Sequence, residues 1–545
     1  MNGLVEVGVA ATVLVGWRLS GTAGPRRNNT SNAGAGPFVP WRVPRQSAPG
    51  RSPSPRRGNW SQLGPRKWSS TGWWGGLPGV RRAGEGEPAG WATRRDVRDL
   101  VVAAPCIGRV TLGTAHRRML AAERGHSVLV VGPTQSRKTS GFAIPAILEW
   151  QGPVIAASVK SDLARHTLDW RQRQGQVWVY DPTASTTLAA ASWSPLQASV
   201  TWEGARRTAG SLTDVARSSP GSLADGAFWY ATAAKLLAPL LFAAATSGKT
   251  MRDVVRWVDT QEIDEVFDML TASGESSALQ AARAAWGRDE RQRSAVYTTT
   301  ETVIEVFADP AVAASESGAT GSHLGGCVDP GRLLEGNDTL FLCAPAHDQR
   351  RLRPLFATLV TQVVEAAYER SGRQGAPLDP PLLVVLDEAA NVAPLAELDV
   401  LASTAAGHGV QLVTVWQDLA QLHARYGIKA GSVVNNHRVK VFLSGIADPG
   451  TLEHASSLIG ETERRTWAMT HDGCGAMSLT DSPAFRRLAP ADELRRIAPG
   501  DAVAVSGHLP PVRLRLRPWQ DDKFLRSRAE TRVDASRHDG HHVDR

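Results

Sequence analysis

Residues 126–158, HSVLVVGPTQSRKTSGFAIPAILEWQGPVIAAS, decide the fold. A short apolar run (Ser127 to Gly132) leads into a polar turn, Gly132 to Thr139. An apolar stretch at helical spacing (Phe142 to Trp150) follows, and then a second short apolar run, Pro153 to Ser158. Strand, glycine turn, helix and strand at this spacing make a βαβ unit. A third run, Val177 to Asp181, follows the polar helical stretch Ser161 to Gln174. After a long interruption the alternation resumes with DTLFLCAP (Asp338 to Pro345), a helix from about Arg351 to Arg370, LLVVLDE (Leu382 to Glu388), a helix around Leu395 to Ala406, VQLVTVWQ (Val410 to Gln417), a helix to Tyr426, and VKVFLSG (Val439 to Gly445). Near-continuous apolar strands alternating with helices predict an α/β fold with a mostly parallel sheet covered on both faces.

The interruption, about Trp202 to Val312, has another texture. Its apolar residues recur at helical spacing, as in FWYATAAKLLAPLLFAAA, with few strand-like alternations. It reads as an all-helical insertion between two halves of one α/β domain. The expected organisation is an apolar leader and basic arm at 1–89, the first part of the core at 90–200, the helical insertion at 201–320, the second part of the core at 321–521, and a disordered tail at 522–545.

The strongest chemical signal is the turn itself. Gly132, Pro133, Thr134, Gln135, Ser136, Arg137, Lys138 and Thr139 follow the pattern G-x-x-x-x-G-K-[ST], except that Arg137 stands where the second glycine belongs. In such a loop backbone N–H groups surround a phosphate, the lysine reaches the β and γ oxygens, the hydroxyl holds Mg²⁺, and a helix N-terminus lies behind. The expected ligands are therefore ATP and Mg²⁺. The missing glycine matters only if that residue needs a positive φ, which costs a side-chain-bearing residue about 1–3 kcal/mol. Pro145 should kink or shorten the helix that follows.

LLVVLDE ends an apolar strand with Asp387-Glu388. In a nucleotide hydrolase the aspartate of such a pair holds Mg²⁺ and the glutamate orients or deprotonates the attacking water. One strand later Gln417 ends VTVWQ, where a polar side chain at a strand's carboxyl end senses the γ-phosphate or simply caps the strand. Asp162 and Lys160, after the second strand, either help to position nucleotide or DNA or mark a solvated helix start. There is no H-E-x-x-H and no G-x-S-x-G, so a zincin or serine hydrolase has no support.

The chain has 545 residues, 42% of them hydrophobic, which is ample for a large core and excludes a small disulfide scaffold. Cys106, Cys327, Cys343 and Cys474 form no C-x-x-C pair and read as reduced thiols. The net charge of +8 has a local origin. Twelve basic residues and no acidic one lie between Arg18 and Ala83, and the rest of the chain holds all 53 acidic residues against 49 basic ones, a net of −4. That arm is rich in Gly, Pro and Ser and reads as disordered; its five tryptophans among arginines suit a nucleic-acid backbone, a membrane surface or a plain solvated linker. Leu4 to Gly16 is apolar but short of the roughly 20 residues a spanning helix needs, and no other stretch approaches that length. The tail His538-Asp539-Gly540-His541-His542 is either a transition-metal site or a solvated terminus.

The run from His126 to Trp150, with GPVIAASVKSDLARHT, SWSPL, VVLDEAANVAPL and LVTVWQDLAQLHARYG in that order, resembles the coupling ATPases of conjugation and type IV secretion, in their actinobacterial branch. The resemblance covers about Gly90 to Asp521. It implies a RecA-like P-loop NTPase core carrying an all-α domain, a homo-hexamer around DNA, and ATP-driven delivery of a nucleoprotein substrate, single- or double-stranded, to type IV secretion channel components at the cytoplasmic side of the cell membrane. Carried over, Gly132, Lys138 and Thr139 bind phosphate and magnesium, Asp387 and Glu388 are the metal-linked and catalytic carboxylates, and Gln417 is the sensor. A ring ATPase also needs an arginine reaching the neighbour's nucleotide. Arg438 is the candidate, with Arg350, Arg351 and Arg425 as alternatives. Two further readings stay open: a nucleotide-binding but hydrolytically weak scaffold or DNA-binding adaptor, and a motor of the same fold for chromosome segregation.

Overall fold

A computed structural model describes residues 90–531, apart from 159–160, 218–225, 318–324, 346, 392 and 472–476. The apolar leader, the basic arm, Lys160 and the histidine-containing tail lie outside the described residues.

The described residues form fourteen strands, which alternate with helices from β4 to β10. They are β1 (Val101–Val102), β2 (Thr111–Ala115), β3 (Arg118–Ala121), β4 (Val128–Val131), β5 (Val154–Ser158), β6 (Val177–Tyr180), β7 (Thr339–Cys343), β8 (Leu382–Leu386), β9 (Val410–Trp416), β10 (Val439–Leu443), β11 (Glu461–His471), β12 (Met477–Arg487), β13 (Asp501–Ser506) and β14 (Val512–Arg515). Twelve form one sheet in the order β1-β3-β2-β14-β13-β10-β4-β9-β8-β5-β7-β6. The seven from β10 to β6 are all parallel to one another. Every residue of β4, β5, β7, β8 and β9 is buried. Both faces are covered, which is why these strands read as unbroken apolar runs.

The remaining strands extend the sheet antiparallel from β10 through β13, β14, β2, β3 and β1. Repeated βαβ patterning gives no hint of this half. Its strands are short, and β14 alternates buried and exposed residues. Strands β11 and β12 form a separate two-stranded ribbon, each 11 residues long. At about 3.3 Å per residue each strand spans roughly 36 Å. Trp467, Met469 and Phe485 are exposed on it and share one face by the pairing register.

Between β6 and β7 the described residues form eight α-helices, from Trp202–Arg217 to Pro330–Leu333. Their centre is Gly226–Thr246, which buries Leu236, Leu237, Leu240 and Leu241. This helix is long and apolar enough to cross a membrane by length and composition, contrary to the expectation that nothing beyond the leader is. Its most apolar window is 67% buried, so in this fold its hydrophobicity is spent on packing. One core runs without interruption from these helices to Trp178, Tyr180 and Phe356 beside the sheet.

A disordered tail from residue 522 is corrected as well. Asp522 caps a helix, Lys523–Ala529, by accepting from Phe524 N and Leu525 N. Leu525 and Ala529 are buried in the same core as Leu148 and Leu163. The Arg528 guanidinium donates to the Leu148 carbonyl and lies over the rings of Trp170 and Phe524. An aspartate cap followed by apolar residues four apart was the signal in the sequence.

Candidate functional site: a phosphate loop beside an acidic strand end

Strand β9 lies between β4 and β8, so the loops leaving these three strands meet at the carboxyl edge of the parallel sheet. Ligands of open α/β sheets bind at that edge. Gly132, the first residue past β4, donates from its N–H to the Trp416 carbonyl. A β-carbon on Gly132 would lie 2.7 Å from Ser136 Oγ and 2.8 Å from Leu443 Cβ, so the loop needs glycine here to close against β10.

The loop turns on two left-handed residues, Gln135 at φ 65° and Arg137 at φ 66°. They flank Ser136, whose hydroxyl donates to the Pro133 carbonyl at 2.8 Å. Such alternation of backbone hand turns successive N–H groups toward one concave side. Arg137 thus adopts the conformation for which glycine is the usual residue, at a strain of about 1–2 kcal/mol. Its side chain leaves the loop and pairs with Asp521 at 3.1 Å.

Lys138 is buried, and its ammonium donates to the carbonyls of Gly132 at 2.8 Å and Pro133 at 2.7 Å. The helix behind begins as a π turn, Thr139–Ala143, and continues as an α-helix over only Ile144–Glu149, with Pro145 in its first turn. Proline has no N–H to give, so the wide turn falls where an ordinary helical bond would be missing anyway. The shortening expected from Pro145 is thereby met.

Thr139 Oγ1 donates to Asp387 Oδ2 at 2.9 Å, which joins the two motifs across the sheet. Ser158, the last residue of β5, donates to the same oxygen at 3.5 Å. Burial pushes the Asp387 carboxyl up to about 6; the neighbouring Glu388 charge adds to the rise, while the Thr139 bond and the Lys138 charge oppose it. The other oxygen, Oδ1, is buried and has no hydrogen-bond partner. A buried carboxylate oxygen without a donor, beside a threonine hydroxyl, is a hard-oxygen arrangement that fits a divalent cation of the magnesium type. Thr139 and Asp387 are the residues that would hold it.

Glu388 stands at φ 60°, partly buried, with its carbonyl accepting from Asn391 N at 2.8 Å. Gln417 follows β9 directly and is also partly buried. Its N–H donates to Gln421 Oε1 at 3.2 Å, and the next residue, Asp418, caps the helix Leu419–Tyr426. All the residues named from the sequence for one nucleotide site, Gly132 to Thr139 with Asp387, Glu388 and Gln417, therefore lie at one edge.

Arg438 does not join them. It precedes β10, whose first residue Val439 pairs with Val128 at the start of β4, so it sits exposed at the opposite, amino edge. It has no part in its own subunit's phosphate site. Of the alternatives, Arg351 pairs with Asp348 and Asp309. Arg425 is partly buried, and burial lowers its pKa. Asp162 opens the helix Asp162–Gln172 in its first turn.

Three residues near the site were given no role from the sequence: Ser158, Asn391 and Arg353. Only Ser158 had a local signal, a hydroxyl ending an otherwise apolar strand. Arg353 comes from the first turns of the helix Gln349–Gln374, 38 positions before Asn391, and only folding brings it near Glu388.

The central parallel sheet, the lysine-threonine loop after β4 and the aspartate-glutamate pair after β8 define the chain as a P-loop NTPase of RecA-like architecture. It belongs to the family "Type IV secretory system Conjugative DNA transfer", whose model matches residues 87–538. Conjugal transfer protein TraG of Escherichia coli is 25% identical over 417 residues, 70% of this chain and 63% of that protein. Protein VirD4 of Rhizobium rhizogenes is 25% identical over 445 residues, 76% of this chain and 61% of that protein. The chain thus spans less than two thirds of the length of these relatives. Among solved structures, the bacterial conjugative coupling protein TrwBdeltaN70 in its unbound form superposes with a TM-score of 0.60 at 18% identity, covering 79% of this chain and 92% of that one. TrwB in complex with ADP and Mg²⁺ superposes at 0.59, also at 18% identity, covering 79% and 93%. At that identity the likeness speaks for the fold.

Proposed function

We propose that the protein is an ATP-driven DNA translocase of the coupling class, which recruits a nucleoprotein substrate and delivers it to a conjugative or type IV secretion channel. The observation that carries this reading is the joined site: Thr139 bonded to Asp387, the unpartnered Asp387 Oδ1 beside them, and Glu388 next in sequence. Magnesium held by Thr139 and Asp387 would supply charge neutralisation at the phosphates. Lys138 binds the phosphates, Thr139 and Asp387 hold the metal, Glu388 orients or deprotonates the attacking water, and Gln417 senses the γ-phosphate.

Arg137 does not favour the hydrolytically weak alternative, because its left-handed backbone keeps the loop in the shape that glycine would give and its guanidinium lies outside. The active form in this reading is a homo-hexamer around DNA at the cytoplasmic side of the membrane. A neighbour contributes an arginine, and the exposed position of Arg438 on the opposite edge leaves it accessible to another subunit. DNA contact by the body, whose net charge is slightly negative, then depends on local placement of basic residues. In the test, purified full chain hydrolyses ATP, DNA accelerates the reaction, and Lys138→Ala abolishes it. Turnover that ignores DNA, or that survives Lys138→Ala, contradicts the reading.

A further inference from the structure

Beside Glu388 the structure carries a contact that no nucleotide motif accounts for. The Arg353 guanidinium donates through Nε to the Asn391 carbonyl at 3.0 Å and through Nη2 to Asn391 Oδ1 at 3.3 Å. With Oδ1 occupied by a cation's donors, the Asn391 amide is fixed in one orientation, its NH₂ turned the other way. There Nδ2 approaches Glu388 Oε2 at 3.5 Å, while Asn391 N donates to the Glu388 carbonyl at 2.8 Å. Asn391 therefore grips Glu388 at both ends, from its main chain and from its side chain, and Arg353 grips Asn391 at both of its oxygens.

Glu388 needs such a hold. Its backbone is left-handed at φ 60°, an uncommon state for a side-chain-bearing residue that persists only where surroundings impose it. The arginine is well placed to impose it. It is half-buried in the first turns of a 26-residue helix, Gln349–Gln374, and Arg351, two residues earlier, is tied to Asp348 and Asp309. A planar guanidinium with two parallel donors holds direction as well as distance, which an ammonium does not.

We infer that Arg353 is a positioning residue for ATP hydrolysis, acting through Asn391 to aim the Glu388 carboxylate at the attacking water. The inference rests on the hydrolysis reading above. It assigns Arg353 no contact with nucleotide, which separates it from a phosphate-binding arginine.

The experiment measures steady-state ATP turnover and the affinity of a fluorescent ATP analogue for the full chain. The variants are Arg353→Lys, Arg353→Ala, Asn391→Ala and Arg353→Ala/Asn391→Ala, with wild type and Glu388→Gln as references. Misplacing a catalytic group by about 1 Å can cost up to about 100-fold, so each single substitution is expected to lower kcat roughly 10- to 100-fold with nucleotide affinity unchanged. The double variant should be no slower than the worse single one, because both break the same chain of contacts. Arg353→Lys keeps charge and length, guards against loss of fold, and should be nearly as slow as Arg353→Ala. A wild-type kcat in Arg353→Ala, additive losses, or weaker nucleotide binding with unchanged kcat would overturn the inference while leaving the hydrolysis reading intact. Failure of that reading would show separately, as wild type no faster than Glu388→Gln.

Discussion

Replacing Arg137 separates the two ways in which the loop could respond to its missing glycine. Arg137 sits at φ 66°, and relief of left-handed strain by glycine is worth about 1–2 kcal/mol. Against this, glycine costs about 0.5–1 kcal/mol in unfolded-chain entropy. The Arg137–Asp521 pair, 44% and 66% exposed, is screened by solvent and contributes only about 0.2–1 kcal/mol. These terms nearly cancel, so Arg137→Gly should leave stability within about 1 kcal/mol of wild type. Arg137→Ala keeps the strain and loses the pair. Strain relief less the entropy cost leaves it less stable than Arg137→Gly by up to about 1.5 kcal/mol, the reverse of the usual order of these residues. Urea midpoints of the three proteins, measured beside their ATP turnover, give the answer. Because arginine already holds the glycine conformation, turnover of Arg137→Gly should stay within about twofold of wild type. Alanine as stable as glycine would refute the left-handed backbone. A large gain in turnover with glycine would refute the claim that the loop is already competent, and would favour the hydrolytically weak reading.

Gly132→Ala places a methyl group 2.7 Å from Ser136 Oγ and 2.8 Å from Leu443 Cβ, so it should abolish binding of a fluorescent ATP analogue with the protein still folded by circular dichroism. Asp387 has its pKa raised from 3.8 to about 6, so its buried charge opposes folding above the folded value, and this penalty fades as pH falls through 6 toward 4. Without nucleotide or magnesium, Asp387→Asn should therefore be the more stable protein at pH 7.5, by up to about 3 kcal/mol. The advantage should vanish near pH 4 in a series of urea titrations. Arg171 is fully buried and donates to Thr339 Oγ1 and to the carbonyls of Trp150, Gly152 and Asn337. Arg171→Met leaves those acceptors unmet in the interior, and a loss of about 3–5 kcal/mol in urea unfolding is expected.

The parallel half of the sheet was legible because burial on both faces leaves its strands uninterrupted by polar residues, as in Leu382–Leu386 and Val410–Trp416. The antiparallel half was not. Val512–Arg515 is four residues long and looks like the loops around it, and of its two partners β2 lies about 400 positions away near Thr114. The nucleotide site was readable where chemistry repeats a local pattern, at Lys138-Thr139 and Asp387-Glu388. It was unreadable where the partner is distant, at Arg353, 38 positions from Asn391. The sign of φ at Arg137 was likewise beyond the sequence, since it follows from how the loop closes between β4, β9 and β10. The helix Lys523–Ala529 was missed because the basic residues around it suggest solvent, whereas Arg517 and Arg528 are engaged, with Glu149 and Asp522 and with the Leu148 carbonyl.

In the proposed function Lys138, Asp387 and Glu388 form one magnesium-dependent ATP-hydrolysing site that works on DNA. Steady-state ATP hydrolysis by the full chain, with and without DNA, and with Glu388→Gln alongside, tests it most directly. The expected result is DNA-stimulated turnover in the wild type and at least a 100-fold loss in Glu388→Gln, the lower end of what general acid–base catalysis supplies, with ATP affinity kept. Turnover unaffected by DNA, or by the loss of Glu388, would contradict it.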